Sequence, residues 1–329
     1  MLATDAVGST VMDAEALKTL GGALQSELSR VIVGKPESVR DAVVTLFCGG
    51  HLLVEDVPGV GKTTLAKALA KALGGEFRRV QFTPDLLPSD VTGGSILNRT
   101  TNQFEFQPGP VFANVVLVDE VNRATPKTQS ALLEAMEERQ VTVDGVTRPL
   151  PEPFMVIATQ NNIEMTGTYP LPEAQLDRFL ARVSLGYPGR SSEAAILSDQ
   201  QTTHPLQTVS ARATLAEITA AQAAVRKIFV HDSVKEYVVD VVRATRDNAQ
   251  LALGSSPRGS LYLMLAGQAR AGLEGSAFVT PDHIKAVAPL VLGHRVIVRA
   301  EARARGATGP SIIQQIMGTV ATPTAFRPS

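Results

Sequence analysis

The sequence predicts an α/β domain with a parallel sheet sandwiched by helices, followed by a smaller all-helical domain. Three observations carry this. From about residue 40 to 190, short β-branched runs alternate with helical stretches and loops. The longest of those runs show little polar alternation, as strands covered on both faces do. Beyond Tyr187-Pro188-Gly189-Arg190 only helical patterns follow. At 329 residues the chain is long enough for roughly two domains and a sizeable core. The expected division is a mobile lead-in over 1–14, the α/β domain over 15–190, the helical domain over 191–320 and a disordered tail over 321–329.

Taken in order, Asp13–Val31 has helical spacing, with Leu17, Leu20, Leu24, Leu28 and Val31 on one face. The strand candidates are His51–Glu55, Arg78–Phe82, Val115–Asp119, Phe154–Thr159 and Ala181–Leu185. In the second domain Leu215, Ile218, Gln222, Val225 and Phe229 recur three or four residues apart. Ser233-Val-Lys-Glu236 reads as a capping box opening a helix through Val242. Ser256-Pro257 and Thr280-Pro281 each read as an N-cap followed by proline at the first helical position. A last short helix is expected from Ser311 to about Val320.

Composition narrows the function. Charged residues make up 19% against 44% hydrophobic, the profile of a soluble globular protein, and the formal net charge is −1. That balance gives no sign of a nucleic-acid coat protein or a polybasic membrane binder. The single cysteine, Cys48, cannot form an intrachain disulfide, which fits a reducing compartment. No signal-peptide pattern opens the chain, and the longest apolar runs fall far below the ~20 residues of a membrane span. A cytoplasmic protein is expected, without direct membrane insertion.

The strongest local signal is Glu55-Asp-Val-Pro-Gly-Val-Gly-Lys62-Thr63, between an apolar strand and the helical run Thr64–Leu73. Strand, glycine-rich loop and helix in that order make a phosphate-binding loop. Gly59 and Gly61, with Pro58 and Val60 between and before them, let successive N–H groups converge on one centre. The helix opening at Thr64 adds its positive end. Lys62 is placed to reach the β- and γ-phosphates of a nucleotide, and the Thr63 hydroxyl to ligate Mg²⁺. The pattern GxxxxGK[ST] puts glycine where this chain has Asp56, so the strict form is not met.

Val115-Val-Leu-Val-Asp119-Glu120 is an apolar strand ending in two carboxylates. Ligands of open α/β sheets bind at such strand ends. Neighbours on a strand point to opposite sides, so the two acids are expected to differ in task. Asp119 suits the metal's hydration shell and Glu120 suits the attacking water. Phe154–Thr159 runs into Gln160-Asn161-Asn162, where Asn161, or else Asn162, is placed to bond the γ-phosphate or that water. Arg178 is the candidate cation for developing charge, with Arg182 as alternative. Arg258 sits in the first turn of a helix, where the macrodipole disfavours a cation unless an anion, such as a nucleotide phosphate, lies near.

In this order the signals resemble the AAA+ ATPases, and more narrowly the MoxR family. The match is carried by VPGVGKT (57–63), LVDEVNRA (117–124), IATQNN (157–162), GTYPLPEAQLDRF (167–179) and GSSPR (254–258), and it spans roughly residues 15 to 320. The stretch GTYPLPEAQLDRF is far more specific than a phosphate loop alone. The resemblance implies an α/β P-loop NTPase domain with a small all-helical lid. It makes Lys62 and Thr63 part of Walker A, and Asp119 and Glu120 Walker B. Asn161 corresponds to sensor 1, Arg178 to the arginine finger and Arg258 to sensor 2. Ile32-Val33-Gly34-Lys35 resembles the family segment lining the adenine pocket, which implies ATP as the nucleotide.

The resemblance further implies a self-assembled ring, usually a hexamer, in which the finger serves a neighbour's nucleotide. It implies work on a client protein, with a von Willebrand factor A domain partner, in chaperone-like maturation or metal-cofactor insertion. Helicase-like and magnesium-chelatase-like relatives are the alternatives; near-neutral charge speaks against nucleic acid. Thr92–Pro110, with Phe104 and Phe106, and Arg139–Leu150, centred on Asp144-Gly145, resemble the insert and hairpin of this branch.

Overall fold

The computed structural model describes residues 12–57, 59–160, 167–201 and 205–326. The first described element is α1 (Ala14–Ser29), capped by the Asp13 carboxylate, which accepts the Ala16 N–H at 2.8 Å. The chain continues through α2 (Pro36–Phe47), β1 (Leu52–Glu55), α3 (Lys62–Ala72), β2 (Phe77–Gln81) and the short α4 (Pro88–Thr92). A hairpin of β3 (Gly93–Asn98) and β4 (Gln103–Pro108) precedes β5 (Val115–Asp119) and α5 (Pro126–Glu138). A second hairpin, β6 (Gln140–Val143) with β7 (Val146–Pro149), precedes β8 (Met155–Gln160), α6 (Glu173–Leu176) and β9 (Ala181–Val183). The second hairpin turns on Asp144 and Gly145, both at positive φ (52° and 74°), as a two-residue turn matched to strand twist requires.

Five strands form one parallel sheet in the order β2–β5–β8–β1–β9. Alternate residues of a strand enter different cores. Val115 and Leu117 pack with Leu52, Val54 and Ile157 toward α1–α3, whereas Val116 and Val118 pack with Leu53, Val156 and the α5 residues Leu132 and Met136. Each such side chain contributes about 1.5–3 kcal/mol by leaving water. Two-sided burial is why β1, β5 and β8 lack polar alternation, whereas the edge strand β2 keeps Arg78, Arg79 and Gln81 exposed. The last strand stops at Val183, short of the expected Leu185.

The region beyond residue 189, where the lid is expected, comprises α7 (Arg190–Gln200), α8 (Leu215–Val225), α9 (Asp232–Arg246), β10 (Leu251–Leu253), α10 (Pro257–Leu273), α11 (Pro281–Leu292), β11 (Ile297–Val298), α12 (Ala300–Ala304) and α13 (Gly309–Thr319). Three expectations need correction. The region is not purely helical: β10 and β11 pair antiparallel, and Phe229 bridges Phe278. These strands of two or three residues are too short to show a period. Next, Ser233 is not the N-cap of its helix. The helix begins earlier, and the His231 ring accepts the Ser233 N–H at 3.2 Å. Finally, the tail is described as far as Phe326, which packs on the lid core, while the Ser233 hydroxyl donates to the Ala325 carbonyl.

The lid also touches α1. A Cβ on Gly21 would lie 2.0 Å from Leu273 Cδ2, so that glycine lets α1 and α10 approach closely. Among the described residues no helix is long and apolar enough to cross a membrane.

Candidate active site

The phosphate loop runs from the end of β1 to the start of α3. Gly59 and Gly61 hold φ of 85° and 98°, and a Cβ on either would meet nothing within 4 Å. The demand for glycine here is therefore conformational, since L side chains avoid this region. Gly61 is the N-cap of α3, which sets Lys62 and Thr63 in its first turn. The Lys62 ammonium donates to the loop's own Asp56 carbonyl at 2.8 Å. Burial pulls the Lys62 pKa below the usual lysine range, against the attraction of Asp56, Asp119 and Glu120. Asp56, the departure from the glycine pattern, is a strut. Its carboxylate accepts the Val57 N–H (2.9 Å), the Gly186 N–H (2.6 Å) and the Ser184 hydroxyl (3.1 Å), tying the loop's mouth to the segment after β9.

In front of the loop lies a cavity of about 370 Å³, walled by Lys62, Thr63, Thr64, Asp119 and Glu120 together with Thr159, Arg79 and Gln81. Asp119 is 8% exposed. It accepts the Arg79 Nε–H at 2.6 Å and the Thr159 hydroxyl at 3.2 Å. Glu120 leaves the strand in the left-handed region (φ 57°, ψ 52°). The expected opposition of the two acids is thereby cancelled, and both face one cavity. The Glu120 carboxylate accepts Gln81 Nε2 at 2.9 Å and Arg123 at 3.1 Å, and its N–H donates to the Thr159 hydroxyl at 2.9 Å. A hydroxyl and a carboxylate are hard oxygen donors, the set Mg²⁺ favours, so Thr63 and Asp119 fit such an ion.

Sequence reasoning missed Arg79, Gln81 and Thr159. Arg79 and Gln81 stand two apart on β2 and so share a face. The polar residues alternating with Val80 along this edge strand were the available signal.

A chamber of about 180 Å³ with largely apolar walls adjoins the first, sharing Gly59, Gly61 and Thr64; Val33, Val60, Pro188 and Ile196 line it, with Lys35 and Asp199 as its charged residues. Gly34 (φ 76°) does not line it; a Cβ there would press on Ser192 Oγ at 2.2 Å. Gly34 therefore joins α7 to the segment after α1.

Arg178 and Arg258 come together elsewhere. Both pair with Glu137 at the end of α5, Arg178 at 2.9 Å and Arg258 at 2.7 Å. A separate cavity of about 180 Å³ there includes Arg139, Arg226 and Tyr262 in its wall. Neither Arg178 nor Arg258 lines the cavity that holds Lys62. The cation in the first turn of α10 is thus offset by the Glu137 carboxylate and, at 4.0 Å, that of Asp177, where a nucleotide phosphate had been expected. Arg182 pairs with Glu55 at 2.8 Å. Pro58, Asn161 and Asn162 lie outside the described residues.

Comparison with known proteins agrees with this geometry. Residues 51–181 match the model of the ATPase family associated with various cellular activities (AAA), and residues 243–316 match an AAA lid domain. The chain is 49% identical to Bacillus subtilis YeaC, over 94% of this chain and 97% of that one. It is 42% identical to chaperone MoxR1 of Mycobacterium tuberculosis, over 90% of this chain and 81% of that one. The protein belongs to the MoxR family of AAA+ ATPases. A solved structure from Cytophaga hutchinsonii, 37% identical, superposes with a TM-score of 0.87 over 94% of this MoxR-family chain and 97% of its own. The cavity walled by Lys62 lies within the matched ATPase domain of this MoxR-family protein, and Arg258 lies within the matched lid.

Proposed function

We propose that this MoxR-family protein hydrolyses ATP to ADP and phosphate with magnesium, as a ring of identical subunits, most simply a hexamer. The observation behind the reading is that Lys62, Thr63, Asp119 and Glu120 wall one cavity at the carboxyl edge of the sheet. On this reading Lys62 gives up the Asp56 carbonyl and turns to the β- and γ-phosphates. The amides of the loop and the positive end of α3 surround the same oxygens. Thr63 and Asp119 are the residues to hold magnesium, which neutralises phosphate charge when bound. Glu120 polarises the attacking water, and Asn161, following β8, positions it. Val33 and Val60 flank the base in the apolar chamber.

Arg178 and Arg258 are assigned to a neighbour's nucleotide, with charge stabilisation as their role. Their pairing around Glu137, away from the subunit's own Lys62, supports action in trans. The turnover would remodel a client protein, with a von Willebrand factor A domain partner and metal-cofactor insertion as the tasks the family resemblance suggests. The name of the Mycobacterium tuberculosis relative, a chaperone, agrees with the first of these. Cys48, buried and unpaired with any other cysteine, suits the cytoplasm. A net charge of −1 offers no footprint for a nucleic-acid motor.

Phosphate release tests the reading. Lys62→Ala should lose about 10²–10³-fold in turnover, the scale for removing one charge-stabilising donor. Turnover equal to the unmodified protein would remove the mechanism. Glu120→Gln held in ATP and used as affinity bait is expected to retain the client.

A further inference from the structure

The turn between α11 and β11 carries a buried arginine that the chemistry above does not use. The Arg295 side chain is 1% exposed. Burial lowers its pKa to about 10, with Asp177 opposing the shift, so it is charged at neutral pH. Its guanidinium reaches out of the lid into one short segment of the sheet domain. Nε donates to Asp177 Oδ1 at 2.8 Å, and one terminal nitrogen donates to the carbonyls of Asp177 (3.1 Å) and Phe179 (2.5 Å). The other terminal nitrogen donates to the Leu180 carbonyl at 3.1 Å and to Val291 within the lid. The bonds to 177, 179 and 180 bracket Arg178 on both sides.

A second piece of the lid meets the same segment. Ser256, the N-cap of α10, donates to Asp177 Oδ2 at 3.0 Å. Asp177 therefore divides its two oxygens between two lid elements, and Arg258 follows Ser256 by two residues. A buried charge is costly and is a weak way to add stability. A rigid planar fork that saturates several carbonyls is, however, an effective way to fix one backbone geometry.

We propose that Arg295 is a positioning residue that ties the orientation of the lid to the placement of Arg178, so that the lid of one subunit sets the rate of hydrolysis at its neighbour. α7, at the start of the lid region, contributes Ile196 to the apolar chamber, so the lid is in reach of the subunit's own nucleotide. The proposal rests on the trans role given to Arg178 above.

The test is Arg295→Lys in the full chain, read by melting, by affinity for a fluorescent ADP analogue and by ATP turnover, alone and mixed with Lys62→Ala subunits. Lysine keeps the charge but cannot span the acceptors. The expected result is an intact melting transition, unchanged nucleotide affinity and KM, and a fall in kcat of about ten- to a hundredfold, the scale of a small misplacement of a catalytic group. Mixing should restore turnover, because Lys62→Ala subunits bring an intact 177–180 segment to the neighbouring site. A folded Arg295→Lys with undiminished kcat, or a loss that mixing does not repair, overturns the proposal. If Arg295→Lys does not fold, Asp177→Asn removes the ion pair from the other end and is judged by the same outcomes. Arg178→Ala run in parallel separates the two ideas. Undiminished turnover in that variant overturns the trans role itself. Lost turnover in that variant beside normal Arg295→Lys overturns the coupling alone.

Discussion

The edge of the sheet that carries Lys62 and the cluster around Glu137 are opposites in construction and in charge. The first is made from the loop after β1, the start of α3, and residues of β2, β5 and β8, so its side chains issue from the carboxyl edge of the sheet and from the helix that opens there. Its two carboxylates are held by a threonine, a glutamine and two arginines. The second joins the end of α5, the turn after α6 and the start of α10; Arg178 and Arg258 pair with the Glu137 carboxylate, and Arg139 and Arg226 line the same cavity. Carboxylates face the cavity in one region, and arginines face it in the other. The contrast teaches that a parallel sheet by itself brings the acid half together, whereas the arginine half is completed by Arg258 from the lid.

The sharpest way to break this comparison is Arg178→Ala. If the two regions are halves of one site in neighbouring subunits, phosphate release should fall by about 10³-fold or more, as for a lost arginine finger. Affinity for the fluorescent nucleotide should be unchanged, and mixing with Lys62→Ala should restore activity. Unaltered turnover would make the arginine cluster merely structural.

Glu120→Gln comes next and probes the acid half alone. A loss of about 10²–10⁴-fold in turnover with nucleotide binding retained matches removal of a group that handles the water's proton. Normal hydrolysis would leave Gln81 and Arg123 holding a bystander. The smallest effect is expected for Arg79→Gln. Its ion pair with Asp119 is half exposed on the arginine side and, being screened, is worth about 1 kcal/mol at most. Freeing Asp119 should lower the magnesium concentration that half-saturates nucleotide binding by no more than about fivefold, measured by calorimetry. A weaker response to magnesium would mean that Arg79 serves the phosphates instead.

Much of the acid half could be read from the chain. The central strands β1, β5 and β8 announce themselves because both faces are buried, which leaves apolar runs almost without polar interruption. The phosphate loop is legible because strand, Gly59, Gly61 and Lys62 are neighbours in sequence, and their geometry follows from local backbone rules. Gly59 and Gly61 stand where only positive φ serves.

Tertiary structure alone settled the rest. Arg79 meets Asp119, and Gln81 meets Glu120, through the parallel register of β2 on β5, which no local pattern encodes. Glu120 enters the same cavity as Asp119 because the chain leaves the strand through a left-handed residue. Arg258 finds Glu137 across 121 positions of sequence, and Arg295 finds Asp177 across 118. A chain's local preferences fix which residues form strands, loops and helices. Which charges then meet depends on distances that only packing of the lid against the sheet can set.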